Sequence, residues 1–496
     1  MTQSTVATPS SAVTAMQPDW ELSRALLGGT RAMRAAGKKF LPQWPNEEDA
    51  AYDARLGTAV LFPAYKRTVE TLAGKPFSKP LTLGDDVPPE IEAWAEDIDL
   101  EGRNLHVFAA DLMESALGYG LCGILVDCPK AEGIAANAAG VPTKADEQRA
   151  GVRPYFVHIK PWQILGWVAK REGGNWVLKM LRLMECVEEP DGEFGTKDVE
   201  QVRVLRPGAF DVYRKQKDAK GNETWALQPE LSGLTSLGYI PFVPMYGKRT
   251  GYMMAEPPLK EVAHLNVQHW QSASDQQTIL HVARVPILAV MGVEDGFDRN
   301  GKPIPWQLTI GASSAVRLPK DGDLKFVEHT GAAIQAGTDD LKALEERMRQ
   351  AGAELLVIDQ KLTATQVTTE NAVGMCALQR IVQTEEDVID QALQMMADWM
   401  GLQESGHVTI FNDFGAATLD DASAQLIVTA QQGGLISKET AINELKRRGK
   451  LGADVEAEEE AAKIAEEGPA LGMLGDPQQQ QQDPSSDPNP NPDPTA

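Results

Sequence analysis

Apolar residues recur every three or four positions in several long stretches of this chain and gather into short runs in others, and these two patterns divide it. Helical spacing runs from Glu21 past Leu26 and over Tyr52–Leu72, where Pro63 leaves either two helices or one kinked helix. It returns in a short segment after Pro88-Pro89 and over Arg103–Leu117, ending at Gly118. Ile124-Leu125-Val126 then reads as a buried strand. From Val152 to Tyr213 short runs rich in Val, Ile, Phe, Tyr and Trp, separated by turns such as Glu172-Gly173-Gly174-Asn175, predict an antiparallel sheet, and Tyr239–Tyr246 adds a strand-like run.

The second half is dominated by longer helices. Glu256–Val282 opens with Pro257 and Pro258 in its first turn and would be about 40 Å long. Asn266, Gln268, Gln271, Gln276 and Gln277 give it polar but uncharged flanks. Short strands follow at Ile287–Met291, Ser314–Leu318 and Leu324–Glu328. A helix resumes over Asp339–Leu355 with Thr338 placed as its N-cap. Val357–Thr369 has no stable period and reads as a loop, and Glu370–Met400 is a third long helix. Val408–Phe411 is strand-like, and helices are expected over Leu419–Gln432 and Ser437–Arg448. Ala453–Glu467 is acidic and helix-prone, and the Gln, Pro, Asp and Asn run beyond Gly468 is low in complexity, which predicts disorder. The Ser-, Thr- and Ala-rich start is expected to be disordered until Trp20.

Composition narrows the function. A chain of 496 residues, 42% hydrophobic and 24% charged, is long enough for more than one packed region. A net charge of −24 argues against tight nucleic-acid binding by counterion release, though not against loose passage of DNA. The basic stretch Arg31, Arg34, Lys38 and Lys39 reads as a solvated helix face. Cys122, Cys128, Cys186 and Cys376 have neither disulfide nor zinc spacing, and the seven histidines are dispersed, so no metal or cofactor is expected. No run suggests a secretion signal or a membrane span.

The catalytic motifs fail on context. Gly118-Tyr119-Gly120-Leu121-Cys122-Gly123 spells a dinucleotide fingerprint, but its expected order is helix then strand, the reverse of what a pyrophosphate site needs. Asp413-Phe414-Gly415 lacks the other kinase elements, and no phosphate loop, zinc-protease motif or nucleophile elbow occurs. The expectation is a protein that is not an enzyme.

The order of elements that remains, with phrases such as Ser115-Ala116-Leu117-Gly118, Gly311–Arg317, Ala343-Leu344-Glu345 and Gly352-Ala353-Glu354-Leu355-Leu356, resembles the portal (head-to-tail connector) proteins of tailed bacteriophages over Tyr52–Arg448. The phrases are similar to a portal-like subfamily long filed as uncharacterised. The resemblance implies an α+β portal-type fold. Residues 1–19 would be a disordered start, 20–255 an α/β wing, 256–283 and 338–356 two stem helices bracketing a small β-rich clip at 284–337, and 357–369 a tunnel loop. A long wing helix at 370–402, a wing end and helical crown at 403–467 and a disordered tail at 468–496 complete it.

It further implies a homo-oligomeric ring of twelve subunits at a capsid vertex of the virion, made in the host cytoplasm. Double-stranded DNA would pass through it during packaging and ejection. Terminase, whose large subunit hydrolyses ATP, a head-to-tail adaptor, and the major capsid or scaffolding protein would be its partners, with no membrane. Lys361, Thr363, Thr365 and Gln366 would face DNA, and Arg317, Lys320 and Lys325 would meet terminase or the adaptor. Twelve helices about 10 Å apart enclose a circumference of about 120 Å and a bore of about 28 Å, wide enough for a duplex. Polar flanks on the first long helix suit contacts between subunits that form in water. The alternatives are another non-enzymatic virion component such as an adaptor or minor capsid protein, a nuclease with dispersed carboxylates, or a helical scaffold.

Overall fold

The computed structural model describes residues 5–129, 152–217, 221, 223–283, 287–291, 296–297, 302–304, 323–327, 332–357, 375–412, 429, 431, 437 and 440–442. Residues 1–412 form one compact unit and 413–496 another. In the second unit the Ser437 hydroxyl accepts from the Thr440 amide at 3.0 Å, the cap expected there.

The first unit is mixed α and β. Helix α1 (Ser11–Leu27) begins nine residues before Trp20, where the composition had suggested disorder. Ser10 caps it, and the small residues around Val13 and Met16 conceal an apolar stripe that buries both with Trp20. There follow α2 (Gly29–Ala36), α3 (Asp49–Thr58), α4 (Ala64–Gly74), β1 (Thr82–Leu83), α5 (Pro89–Ala95) and α6 (Leu105–Tyr119). Pro63 thus separates two helices, α3 and α4. Helix α6 is capped by Asn104 and runs directly into β2 (Leu121–Asp127). Gly120 between them has φ +84°, and a Cβ there would stand 2.3 Å from the Glu256 carbonyl carbon. The glycine-rich run is therefore a helix-to-strand turn, the wrong polarity for a pyrophosphate.

Strand β2 is central in a three-stranded antiparallel sheet, between β3 (Tyr155–Ile159) and β10 (Phe242–Tyr246). Next to it stands a larger antiparallel sheet in sequential order: β4 (Ile164–Glu172), β5 (Asn175–Asp191), β6 (Gly195–Arg206), β7 (Ala209–Lys217) and β8 (Glu223–Leu227), with β9 (Gly233–Leu234) also on β7. Strands β5 and β6 outrun the expected Val177–Cys186 and Glu200–Leu205 and project as a hairpin whose tip exposes Phe194. The two sheets meet around α1, where Trp20, Leu125, Leu181, Leu183, Leu205 and Phe242 share one core. The short β11 (Lys248–Gly251) and β12 (Met254–Glu256) were not expected from the sequence.

Helix α7 (Lys260–Ala283) starts four residues later than predicted because β12 occupies Glu256. Beyond it lie β13 (Ile287–Met291), β14 (Gly296–Phe297), β15 (Pro303–Ile304) and β16 (Asp323–Val327), with β13 paired to β16 and β14 to β15. The run Ser314–Leu318 lies outside the described residues. Helix α8 (Ala332–Ala353), ending in a 3-10 turn at Glu354–Leu356, begins seven residues before Asp339. Thr338 is inside it, its hydroxyl donating to the Ile334 carbonyl at 2.9 Å, so it is not the N-cap. Helix α9 (Ala377–Met400) is capped by Cys376 rather than opening at Glu370, and residues 370–374 lie outside the described residues. Strand β17 (Val408–Thr409) pairs with β1 across more than 300 residues of sequence.

Candidate functional site

Helices α7 and α8 form an antiparallel hairpin with the β13–β16 ladder at its far end. The pairing is fixed by contacts at two heights. Near the strands Gln276 donates to the Ile334 carbonyl at 2.8 Å, and nearer the base His269 Nε2 stands 3.5 Å from Glu345. Gly337 makes the first contact possible, because a Cβ there would lie 2.0 Å from the Gln276 side-chain oxygen. Burial holds His269 below the usual imidazole value, although Glu345 beside it pulls the other way.

The base of the hairpin is fastened into the N-terminal helices by polar side chains of α7. Asn266 is fully buried; its oxygen accepts from the Tyr65 amide at 3.0 Å and its nitrogen donates to the Phe62 carbonyl at 2.9 Å. Those backbone groups flank Pro63, where the break between α3 and α4 leaves them without helical partners. Tyr65 in turn donates through its hydroxyl to the Gly118 carbonyl at 2.6 Å, tying the break to the end of α6. Gln271 donates to the Phe40 carbonyl at 3.0 Å, and Lys260 pairs with Asp19 of α1 at 2.8 Å. Trp270 is fully buried beside them.

A second anchor is Arg55 of α3. Its guanidinium makes two 2.8 Å bonds to Glu47, donates to the Pro42 carbonyl at 2.8 Å and lies 4.1 Å from the Trp44 ring. The Arg55 hydrogen bond holds the Glu47 carboxyl below its ordinary range. Asp275 of α7 stands 4.0 Å from the same guanidinium; burial raises its carboxyl and Arg55 opposes the rise. Between α3 and the end of α7 lies an open cleft of about 740 Å³, lined by Ala51, Ala54, Thr58, Gln277, Leu280 and His281 among others.

The polar flank of α7 thus divides in two. Asn266, Gln271 and Gln276 are engaged within the subunit, contrary to the expectation that the whole set faces a neighbour. Gln268 and Gln277 remain exposed.

Lys361, Thr363, Thr365 and Gln366 lie outside the described residues, as do Arg317 and Lys320. Lys325 is placed in β16 opposite Ala289, with its side chain outside the described residues. The sequence reading gave Asn266 to a flank facing a neighbouring subunit and passed over Arg55 with Glu47, and Gly337. The internal role of Asn266 was findable: it interrupts the buried stripe of Leu259, Val262, Ala263 and Trp270 at helical spacing. The Arg55–Glu47 pair left no comparable signal, since its members lie eight residues apart across a loop-to-helix junction.

Among the described residues, no group of three His, Cys, Asp or Glu side chains is placed to hold a metal ion, and no helix is long and apolar enough to cross a membrane.

A family profile described as a domain of unknown function, DUF4055, matches residues 258–400, which run from the start of α7 through the strands and α8 to the end of α9. No curated protein matches the chain. Among solved structures it is similar to a chain in the neck of an empty gene transfer agent particle computed with sixfold symmetry. The identity is 12% over 76% of this chain and 88% of that one, with a TM-score of 0.37. A chain of the native gene transfer agent virion gives 11% identity, 84% and 98% coverage and a TM-score of 0.36. One from the native neck computed with twelvefold symmetry gives 12%, 78% and 89%, and 0.36.

Proposed function

We propose that the chain is the subunit of a portal: a closed ring of about twelve copies at a capsid vertex, through which double-stranded DNA enters and leaves the particle. The observation that supports this best is the α7–α8 hairpin. Its base is stapled into the helical layer by Asn266, Gln271 and Lys260, while its far end carries a separate small set of strands. A stapled base keeps the hairpin at a fixed angle, the requirement for many copies to line one bore. The strands at its tip are then free to meet a packaging motor or an adaptor. Exposed Gln268 and Gln277 and the cleft beside α3 suit contacts between neighbouring copies.

In this reading the protein performs no chemistry. A net charge of −24 keeps most of its surface repulsive to DNA, which lets a polyanion slide instead of binding. Lys361, Thr363, Thr365 and Gln366 follow α8 and would face the duplex, and Arg317, Lys320 and Lys325 belong to the strand-bearing end that would dock terminase or an adaptor. The family profile covers the hairpin, its strands and α9, the segment this reading assigns to the channel and its docking end.

Deleting Lys361–Gln366 tests the assignment. The expected result is particles that assemble in normal number but contain little DNA. Normal genome retention would contradict it, and metal-dependent cleavage of DNA by the purified chain would favour a nuclease instead.

A further inference from the structure

One face of the three-stranded sheet is apolar except for a short polar row. By register, Cys122, Ile124 and Val126 of β2 share this face with Val243 and Met245 of β10 and with Phe156 and His158 of β3. Helix α6 covers the β3 side: Phe108 stacks near Phe156 and His158, and the Cys122 thiol donates to the Leu112 carbonyl at 3.6 Å. Helix α9 packs on β10 and β2.

Two groups on this face lack their natural partners. Lys160, one residue past β3, donates to the Ser115 hydroxyl at 2.8 Å and to His158 Nδ1 at 3.3 Å, and no carboxylate is bonded to it among the described residues. Glu385 of α9 is fully buried, and neither of its carboxyl oxygens has a hydrogen-bond partner. Lys160 continues β3 to the register position opposite Cys122, and α9, which carries Glu385 in its buried stripe, packs on β2 and β10. A lysine bonded to no carboxylate, with Asp111 and Glu114 of α6 its nearest opposing charges, and a carboxyl with no hydrogen-bond partner therefore lie on the elements around one sheet face.

We propose that Glu385 and Lys160 are the two halves of a latent ion pair across Cys122, and that forming it, with release of the Glu385 proton to solvent, unseats α9 from the sheet. A neutral carboxyl can remain in this site, but a carboxylate cannot remain without a cation. Lys160 reaches it only by leaving Ser115 and His158 and passing Cys122, or by a shift of α9 across the sheet. Either movement breaks a close-packed contact, so the helix has two discrete seats rather than a continuum.

Burial raises the Glu385 carboxyl well above its ordinary range, with Glu386 adding to it, and burial lowers Lys160. The other titratable or charged groups on the elements around this face are His158 on β3, Asp111 and Glu114 on α6, Arg103 before α6, Glu354 in the turn after α8, and His407 beside Asp390 at β17. On β10 the face carries only Val243 and Met245.

The test is alkylation of Cys122 by iodoacetamide in the full chain carrying Cys128→Ser and Cys186→Ser, followed by peptide mass and divided by the rate for the unfolded chain at each pH. Protection of Cys122 should fall about tenfold per pH unit over part of the range above the ordinary carboxylate value, the slope of one released proton. Glu385→Gln should abolish that fall, and Lys160→Met should displace it to higher pH. Equal profiles for Glu385→Gln and its parent, or no effect of Lys160→Met, would overturn the proposal. If the variants fail to fold, amide exchange along α9 in the unaltered protein decides it: faster exchange confined to α9 as the pH rises, after correction for the intrinsic rate, supports it, and a uniform profile overturns it.

Discussion

Asn266 and Glu385 occupy equivalent situations and have opposite consequences. Each is a polar residue in the apolar stripe of a long helix, and each is fully buried. Asn266 meets the Tyr65 amide, which the break at Pro63 leaves open, and the Phe62 carbonyl, which it shares with the Ala64 amide, so its polarity is matched donor to acceptor. Glu385 meets none. A buried polar group whose partners are all present fixes one geometry, because every alternative strands a donor or an acceptor. A buried group with no partner penalises the geometry it sits in and leaves room for another. The hairpin base is thus held to one geometry, and the contact of α9 with the sheet carries a penalty that another geometry could relieve.

Substitutions can sharpen or break this contrast. The largest effect is expected at the satisfied site. Asn266→Ala orphans the Tyr65 amide, while the Phe62 carbonyl keeps the Ala64 amide, and should cost about 1–3 kcal/mol, read as a lower urea midpoint at unchanged slope. A loss below about 0.5 kcal/mol would show that the staple does not hold the base.

Glu385 should behave in the opposite sense. Its folded carboxyl keeps its proton at pH values where the unfolded chain has released it, so the unfolded state binds fewer protons and stability falls as the pH rises. The fall begins at the ordinary carboxylate value, continues to the raised folded value and amounts to about 1.4 kcal/mol per pH unit. Glu385→Gln should remove that slope in urea titrations at a series of pH values, and a slope retained in the variant would assign it to other groups.

Gly337→Ala comes next. It drives a methyl group into Gln276 and should cost about 1–2 kcal/mol, with faster amide exchange at the strand end of α7 than at its base. The smallest effect is at the surface, where Asp86 bonds His407 Nδ1 at 2.9 Å and brings the segment after β1 to β17. This bond raises His407, so its contribution is complete below the ordinary imidazole value and is lost as the pH rises through the folded one. Asp86→Asn should abolish the associated shift of the His407 ring signals in NMR titration, and an unchanged midpoint would show the bond is not formed in solution.

Much of the fold could be read from periodicity, and the exceptions have physical causes. Helices α7, α8 and α9 carry a helical period and β3 to β7 and β10 read as short strand-like runs, since each presents a face to a core, whereas β2 reads as a continuous apolar run because it is buried on both faces, and β8 and β9 were not expected. Helix α1 was hidden because Ala, Ser and Thr around Val13 and Met16 resemble the composition of disordered segments. Its order comes from tertiary contacts, such as Arg182 donating to the Val6 and Thr8 carbonyls. Thr338 looked like a cap because a threonine before two aspartates fits that pattern, but a helix start is decided by where its amides find acceptors. Pairings such as Thr82 with Thr409 join distant segments too short to carry any period. Polar residues within apolar stripes were visible in the sequence. Whether a stripe residue is stapled like Asn266 or stranded like Glu385 depends on groups more than a hundred residues away, which no local pattern records.

The portal assignment stands or falls on assembly. The most direct measurement is the mass of the purified full chain in solution together with electron-microscope images of the same sample. The account predicts closed rings of about twelve copies with a central hole wide enough for a duplex, about 20 Å or more. A monomer or dimer that persists across protein concentration and salt would contradict it.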